Sequence, residues 1–552
     1  MVRLACGVLA GILACLALAD TTAESVSSKV TPEIRAGTTA RSTGTTKIGG
    51  PSKKSSSTRS STRSSTTTTI ATPTVILDYS TLVPAEGNAT VGWYKFQNVR
   101  FAAAPTGSLR FAAPTWPPKD NTINNGSYAI SNVDCKNAED CLFCDVFVPA
   151  RAFTTKKKFP VLQWYWGGGY YAGSKANYHP AGLFQVSKGF VYVACNHRLG
   201  FPGLANGPTF VHQGGASNAA VRDVEHAFKW TKKYISAFGG DPNQVTASGY
   251  SSGGSQVLWQ MTRYAGRAEQ LFHRAYLMSP GINPGAGNHQ SELFWQSAST
   301  ALGCDGGDLE CMRNVSFANL TSTALSLVSQ LAYQMQPRSD GDFLPDFYEP
   351  ALYQGQYNWT GPTVITHNQH ESATVPWGGV STEADVINTI RIYFPGISDD
   401  AIQQILALYP AEDYSSQAFR FSYIYEGFHH TAHGLALTHA LKNQTWNAYV
   451  QIPPSTHGSD LPLYFYFSNG TVTPTQGLAR KMQKYLLSLV ITGDPNKYWP
   501  KQKIYWPRYS SLEGGAQLVI NNTLSQNETF RIVAGDDLDN AKTLFWNKGL
   551  WY

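Results

Sequence analysis

The sequence predicts an α/β fold in which a large, mostly parallel sheet is flanked by helices. Residues 159–166, 190–195 and 244–248 are short apolar and β-branched runs, continuous enough to be strands buried on both faces. Between the last two runs, apolar residues recur at helical spacing over 220–238, and a Gly-Gly pair follows as a stop signal. This order of strand, helix and strand indicates a mainly parallel sheet covered by helices.

The chain begins with the features of a secretory signal peptide. A short cationic start at Arg3 precedes an apolar run that ends at Leu18, and small residues lead up to Asp20. We expect cleavage after Ala19, so that residues 1–19 are lost and the protein is secreted to the extracellular space. The run is too short to span a bilayer, and no later stretch approaches about 20 uninterrupted apolar residues, so we expect no integral membrane span.

Residues 20–74 consist largely of Ser, Thr, Gly, Lys and Arg and lack the apolar residues needed for a core. We predict a disordered linker there, either plain or O-glycosylated. Residues 75–552 are predicted to form one large domain with insertions. The formal net charge of +6 lies outside that domain, since Arg3 carries one charge and the linker has eight basic residues against three acidic ones. The neutral domain gives no support to nucleic-acid binding.

Cysteines and glycosylation signals agree with passage through an oxidising secretory pathway. Six of the eight cysteines lie outside the signal peptide: Cys135, Cys141, Cys144, Cys195, Cys304 and Cys311. Nine Asn-x-Ser/Thr sequons are candidate glycosylation sites: Asn88, Asn125, Asn314, Asn319, Asn358, Asn443, Asn469, Asn521 and Asn527.

The sharpest motif for chemistry covers residues 249–254 (GYSSGG). It follows a strand-like run over 245–248 and precedes a helical run over 256–262. In a Gly-x-Ser-x-Gly pattern the serine lies on a strained strand-to-helix turn, and the flanking glycines let neighbouring backbone approach without a Cβ clash. Ser251 is therefore the candidate nucleophile.

Residues 218–254, which include this motif, resemble the type-B carboxylesterase/lipase family of fungal esterases, lipases and cholinesterases. Other segments match landmarks of that family in the same order along the chain: 96–101, 109–111, 139–142, 167–169, 196–200 and 457–462. The resemblance spans about residues 75–552. It implies an α/β-hydrolase fold and hydrolysis of small-molecule esters through an acyl-enzyme, with no metal or organic cofactor. It implies nothing about oligomeric state.

The general base is expected to be a histidine, because imidazole accepts and returns a proton near neutral pH. His457 follows a strand-like run late in the chain, as the family's order of serine, acid and histidine requires. The resemblance implies that the acid is Glu371, at the end of a strand-like run over 363–366. Asp340 and Asp460 are the competing carboxylates.

The negative charge of a tetrahedral intermediate is best stabilised by backbone N–H groups held in place. The Gly-Gly-Gly run at 167–169 directly follows a predicted strand, so its amides can turn toward Ser251. The resemblance implies that Gly168 and Gly169 join the amide of Ser252 as an oxyanion hole. A glycine-rich turn that binds nothing is the alternative.

One departure from the family pattern concerns the residue before the nucleophile. Tyr250 stands where a glutamate is common. An ion pair to a buried arginine such as Arg198 would then need a different carboxylate, and we predict Glu139 for that role.

A second departure is the short span between Cys135 and Cys141. In the family the corresponding cysteines bracket a long loop that forms the lid of the lipases, whereas only five residues intervene here. We therefore predict a disulfide without a lid, an open gorge and esterase-like kinetics.

The other four cysteines fall into two pairs. Cys304 and Cys311 match the second disulfide of the family. For Cys144 and Cys195, on predicted neighbouring strands, the sequence leaves a bridge and buried free thiols open, with free thiols slightly favoured.

Three other functions remain open from the sequence: a catalytically silent binding or adhesion protein of the same fold, a true triglyceride lipase, and a metal hydrolase using His429, His430 and His433. We interpret that histidine cluster as a helix surface, because no Asp, Glu or His completes a zinc pattern such as His-Glu-x-x-His. No metal site is predicted.

Overall fold

The computed structural model describes residues 72–127, 132–284, 287–372, 375–468, 470, 474–521 and 530–549. The predicted signal peptide, nearly all of the predicted linker and the sequons at Asn469 and Asn527 lie outside these residues. Four described sequon asparagines are exposed: Asn88, Asn125, Asn314 and Asn319. Glycosylation of these asparagines stays a prediction.

The strands are numbered in chain order: β1 (Val75–Ile76), β2 (Thr81–Leu82), β3 (Glu86–Asn88), β4 (Trp93–Arg100), β5 (Ile123–Asn124), β6 (Phe143–Pro149), β7 (Phe159–Tyr165), β8 (Val191–Cys195), β9 (Gly240–Ser251), β10 (Arg274–Pro280), β11 (Thr363–Asn368), β12 (Trp446–Gln451), β13 (Ala516–Asn521) and β14 (Phe530–Ala534). The three strands predicted first from the sequence correspond to β7, β8 and β9.

The α-helices are α1 (Ala181–Val186), α2 (Gly200–Leu204), α3 (Pro208–His212), α4 (Ala219–Tyr234), α5 (Ser252–Thr262), α6 (Asn288–Ala301), α7 (Leu309–Asn314), α8 (Phe317–Leu331), α9 (Tyr348–Tyr353), α10 (Glu383–Tyr393), α11 (Asp399–Leu408), α12 (Gln417–Glu426), α13 (Ala432–Ala440), α14 (Leu461–Tyr464), α15 (Pro474–Thr492) and α16 (Ala541–Asn547). A π-helical turn, Gly427–Thr431, joins α12 to α13. Within the ranges described, no helix is both long enough and apolar enough to cross a lipid bilayer.

One sheet of eleven strands organises the molecule, in the order β14-β13-β12-β11-β10-β9-β7-β8-β6-β4-β3. The strands from β13 to β8 in this order are parallel to their neighbours, and the strands at both edges are antiparallel. A small sheet, β1-β2-β5, lies apart from it. The predicted α/β fold with a large, mostly parallel sheet is therefore confirmed.

The centre of the sheet is buried on both faces. Successive side chains of a strand point to opposite faces, and Val161 and Leu162 of β7 accordingly belong to different hydrophobic cores. Helix α4 supplies Phe228 to the first core, and α15 supplies Leu486 to the second. Each such fully buried side chain stabilises the fold by about 1.5–3 kcal/mol. The two covered faces explain why the central strands are continuous apolar runs.

A buried ion pair ties the end of β8 to helix α4. Arg198 Nη2 lies 2.7 Å from Asp223 Oδ1, and Arg198 Nε donates to Asp223 Oδ2 over 2.9 Å. The Arg198 and Asp223 side chains are only 3% and 0% exposed. The predicted partner, Glu139, instead pairs with Arg110 over 2.8 Å, so that prediction is wrong. Helix α4 buries Asp223 against Arg198, whereas Glu139 is taken up by Arg110.

Three disulfides are present among the described residues. They join Cys135 to Cys141, Cys144 to Cys195, and Cys304 to Cys311. The bridge between Cys144 and Cys195 overturns the slight preference for free thiols. Its reason is the sheet register, because β6 and β8 pair antiparallel with these two residues directly opposite each other.

We predict that Asp223→Ala lowers the free energy of unfolding by about 3–5 kcal/mol, because it leaves the Arg198 guanidinium buried and unpaired. Chemical denaturation measures the change. The matched control is Glu269→Ala, which removes an ion pair to Lys232 whose side chains are 51% and 56% exposed. That loss is expected to stay within about 1 kcal/mol. Equal effects of the two substitutions would contradict the prediction.

Candidate active site

Ser251 lies on a sharp turn between β9 and α5. It is the last residue of β9, and α5 begins at Ser252. Its backbone has φ +55° and ψ −129°, a conformation that residues with a side chain rarely adopt and that costs about 1–3 kcal/mol. Ser251 itself is buried, with 8% of its surface exposed. The strand-to-helix turn predicted from the motif is therefore present.

The glycines of the motif are required by close backbone contacts. A Cβ at position 249 would lie 2.2 Å from the carbonyl oxygen of Gly253. A Cβ at position 253 would lie 2.3 Å from the carbonyl oxygen of Tyr165, at the end of β7. Because backbone cannot yield as the end of a flexible side chain can, both positions are restricted to glycine. The turn is thereby held against the neighbouring strand.

Glu371 and His457 form a hydrogen-bonded acid–base pair. Glu371 Oε2 lies 2.6 Å from Nδ1 of His457. The Glu371 side chain is fully buried, whereas the His457 side chain is 16% exposed. The structure therefore brings the predicted acid and the predicted base together, and their roles stay a prediction. The imidazole is oriented at Nδ1 by this bond.

Two loops bring this pair together. One follows β11 and the other follows β12, which are adjacent parallel strands. The amide of His370 donates to the carbonyl of Ser455 over 2.9 Å, and the amide of His457 donates to the carbonyl of Glu371 over 3.3 Å. These backbone bonds fix the loops side by side, so the acid and the base do not depend on side-chain contacts alone.

Hydrogen bonds keep Glu371 ionised. Burial by itself would raise the pKa of this carboxyl group. Bonds from His457, Ser279 and the amide of Asn368 outweigh burial and hold the pKa of Glu371 below its usual value. The Asn368 amide donates to Glu371 Oε1 over 2.6 Å. A carboxylate that accepts from Nδ1 leaves Nε2 of His457 as the basic nitrogen.

The glycine loop after β7 packs directly on the nucleophile. A Cβ at Gly167 would lie 2.7 Å from Cβ of Ser251. Gly168 and Gly169 have φ values of +141° and +62°. Neither of their amides donates a hydrogen bond to another residue in the described part of the chain. The amide of Ser252, at the first position of α5, has no partner within its helix. Three unpaired donors are thus available around Ser251.

The base is close to the nucleophile's turn but is not bonded to the serine. The rings of Tyr250 and His457 pack with centroids 4.7 Å apart. Nε2 of His457 is buried and has no hydrogen-bond partner among the residues described. The hydrogen bond from Ser251 Oγ to Nε2 of His457 is therefore not formed in this structure. Such bonds are often long without substrate and tighten in the Michaelis complex.

The histidine cluster is not on a helix surface, and that interpretation is wrong. His430 and His433 are buried, and His429 is half-buried. Both ring nitrogens of His433 are engaged, Nδ1 by the carboxylate of Glu349 and Nε2 by the carbonyl of His429 at 3.0 Å. His430 packs against His457 with ring centroids 4.2 Å apart. The π-helical turn and the packing of α9 and α16 against this segment enclose the cluster.

The competing carboxylates have other partners. Asp340 accepts from the side chain of Asn218 over 2.9 Å. Asp460 is fully buried and accepts from Asn368 Nδ2 over 3.3 Å. Burial, followed by repulsion from Glu371, raises the pKa of Asp460 to about 6.

Sequence reasoning missed three residues that support the pair. Asn368 hydrogen-bonds both Ser279 and Asp460, and its amide holds Glu371. Ser279 also bonds Glu371 directly. His430 contacts the base. Asn368 was open to prediction as a polar residue at the carboxyl end of a buried strand, whereas no local signal marks Ser279 or His430.

Comparison with known proteins gives one family. The profile of the carboxylesterase family matches residues 82–423. The carboxylesterase patB of Aspergillus clavatus is 28% identical over 86% of this chain and 96% of its own length. A secreted triacylglycerol lipase of Gibberella zeae is 27% identical over 74% of this chain and 81% of its own.

Solved structures agree on the fold. EstA of Aspergillus niger has a TM-score of 0.75 at 24% identity, covering 86% of this chain and 98% of its own. A PNB esterase has a TM-score of 0.70 at 22% identity, covering 86% and 99%. These neighbours share the α/β-hydrolase fold of esterases, as the resemblance implied.

We predict that Asp460→Asn increases stability more at pH 7 than at pH 4. The folded state favours the neutral carboxyl, so the contribution of Asp460 to stability is full below its ordinary pKa of 3.8 and is lost as the pH rises through about 6. Asn carries no such charge, so the gain over the wild type should grow across this window and then stay constant. Denaturation at several pH values measures it. The control is Asp413→Asn, which changes an exposed carboxylate and should show no such trend. A stability gain for Asp460→Asn that does not change with pH would contradict the prediction.

Proposed function

Because the chain belongs to the carboxylesterase family and is a carboxylic ester hydrolase, we propose that Ser251 is its nucleophile, His457 its general base and Glu371 the acid that orients the imidazole. The observation that carries this proposal is the 2.6 Å bond between the buried Glu371 carboxylate and Nδ1 of His457. It leaves Nε2 basic, and this nitrogen has no hydrogen-bond partner among the described residues although the turn at Ser251 lies close by.

The reaction proceeds by acyl transfer in two halves. Nε2 of His457 takes the proton of Ser251 Oγ as that oxygen attacks the ester carbonyl carbon. The tetrahedral intermediate collapses, the imidazolium gives its proton to the departing alcohol, and the acyl group stays on Ser251. His457 then deprotonates a water that attacks the acyl carbon, which releases the acid and restores the hydroxyl.

Charge develops on the carbonyl oxygen in both halves, and the amides of Gly168, Gly169 and Ser252 are proposed to receive it. Their availability supports this role, since donors already bonded within the chain could not turn to substrate. Because these donors are backbone groups fixed by the turn and the glycine loop, they need little reorganisation in the transition state. The family usually has His or Tyr where this chain has Trp166, and Ala where it has Ser252. Neither difference removes a backbone amide donor.

The substrate is proposed to be a soluble or small ester rather than an oil droplet. The disulfide from Cys135 to Cys141 closes a loop too short for a lid. The 16% exposure of the His457 side chain agrees with an open gorge. Relatives named as carboxylesterase and as triacylglycerol lipase both occur, so the loop rather than the relatives favours the esterase.

Secretion completes the proposal. Residues 1–19 act as the signal peptide, residues 20–74 as a linker, and residues 75–552 as the α/β-hydrolase domain. Three disulfides among the described residues suit an oxidising compartment. Several relatives carry names as secreted lipases of Arthroderma benhamiae and Gibberella zeae.

We predict that Ser251→Ala lowers kcat/KM on p-nitrophenyl butyrate about 10⁴-fold or more while leaving the melting temperature within a few degrees. An organophosphate should label the wild type at Ser251 and not this variant, as mass spectrometry of peptides can show. The neighbouring Ser252→Ala variant keeps its amide and should lose far less activity. Full activity in Ser251→Ala would refute the assignment, and a wild type without esterase activity would favour a silent binding protein.

We predict that activity follows the concentration of dissolved ester, without a rise at the solubility limit. Rates on p-nitrophenyl esters of increasing acyl length, and on a short triglyceride across its solubility limit, measure this dependence. An open gorge needs no interface to uncover the serine, so saturation should be hyperbolic. A sharp increase once droplets form would show interfacial activation and contradict the lidless gorge.

A further inference from the structure

Two imidazoles face each other beside the proposed nucleophile. The ring centroids of His430 and His457 are 4.2 Å apart with an angle of 40° between the planes. His430 is 5% exposed, and its Nδ1 has no hydrogen-bond partner among the described residues. Nε2 of His457 is likewise buried and unpartnered. Two basic nitrogens that could bind a ligand are therefore unused in one small volume.

The Glu371 carboxylate lies beside the two imidazoles and supports one of them, as carboxylates do in metal sites. One ligand atom each from Glu371, His430 and His457 lies within 4.8 Å of the other two. Metal-bound histidines usually donate their other ring N–H to a carboxylate, and the bond from His457 Nδ1 to Glu371 already has that form. Glu371 can thus keep its hydrogen bond while Nε2 of His457 turns to a metal.

We propose that His430 and His457 form an inhibitory binding site for a borderline divalent cation, of which Zn²⁺ is the type case. This inference rests on the proposed role of His457 as the base. A Zn–N bond formed by Nε2 uses the lone pair that removes the Ser251 proton, so the metal-bound enzyme cannot start acyl transfer. The other coordination positions of the metal ion, on the side that faces Ser251, are left to water.

The ligand atoms need to move only a short distance to bind a metal ion. Their chemical type determines which metal binds. Neighbouring ligands of a tetrahedral zinc lie about 3.3 Å apart, and one ligand atom from each of the three residues already lies within 4.8 Å of the other two. The ion has to reach Nε2 past the ring of His457, because the side chain is 16% exposed whereas Nε2 itself is buried. Imidazole ligands favour zinc, copper and nickel over magnesium and calcium, which prefer oxygen. Mg²⁺ at equal concentration should therefore leave the rate unaffected.

The test titrates ZnCl₂ into the full chain after chelator treatment and dialysis, with p-nitrophenyl butyrate as substrate. Each rate is divided by the zinc-free rate of the same variant. The wild type should lose activity as zinc rises and regain it with EDTA. His430→Phe, which keeps a ring against His457, should raise the zinc concentration for half-inhibition by at least about 10-fold. Equal zinc sensitivity of this variant and the wild type would overturn the proposal, as would no inhibition of the wild type.

Two controls separate this proposal from the proposed function. His429→Phe changes the adjacent residue, which packs on Tyr425 at 4.6 Å and lies outside the donor set, and should keep the wild-type zinc sensitivity. If His430→Phe does not fold, His430→Gln decides the outcome in the same assay. Co²⁺ absorption with Ser251→Ala reports metal binding without catalysis: d–d bands typical of tetrahedral coordination support the site, and their absence overturns it. An enzyme inactive without zinc would instead refute the proposed triad.

Discussion

The close backbone contact between the turn at Ser251 and the end of β7 constrains the whole site. Gly253 touches the carbonyl of Tyr165, and Gly167 touches the side chain of Ser251, with no room for a Cβ at either glycine. The same contact therefore sets both the strained serine backbone and the position of the glycine loop whose amides stay unpaired. Since protein interiors are packed like crystals, neither part can move without the other. The proposed nucleophile and the proposed oxyanion donors therefore form one rigid unit.

The proposed acid and the proposed base form a second unit, built on different strands. Glu371 follows β11 and His457 follows β12, and backbone bonds join their loops. Parallel strands end at the same edge of a sheet, so both units meet beside the end of β9. The imidazole is already bonded at Nδ1 and unbonded at Nε2, and the rings of Tyr250 and His430 lie against it.

Three sequence-based expectations failed for the same kind of reason. Arg198 pairs with Asp223 rather than with Glu139. Which carboxylate reaches Arg198 depends on which face of α4 packs on the sheet. Cys144 bonds an opposite cysteine because of strand register. The histidines near 430 are enclosed because a π-helical turn and neighbouring helices cover a segment that reads as an exposed helix. Each outcome requires knowing how elements pack, which local patterns do not contain.

The sequence by itself determined the parallel sheet, the helix between β8 and β9, the turn at Ser251 and the glycines around it. Strand periodicity, helical spacing and turn chemistry act between close neighbours, so local patterns encode them. It also gave Glu371 and His457 as the candidate acid and base, with the help of the resemblance. Only the tertiary structure decided that these two, 86 residues apart, share a 2.6 Å hydrogen bond, and that His430 packs on the same imidazole. Contacts between distant segments follow from the packing of the whole sheet and its helices, which no short stretch of sequence specifies.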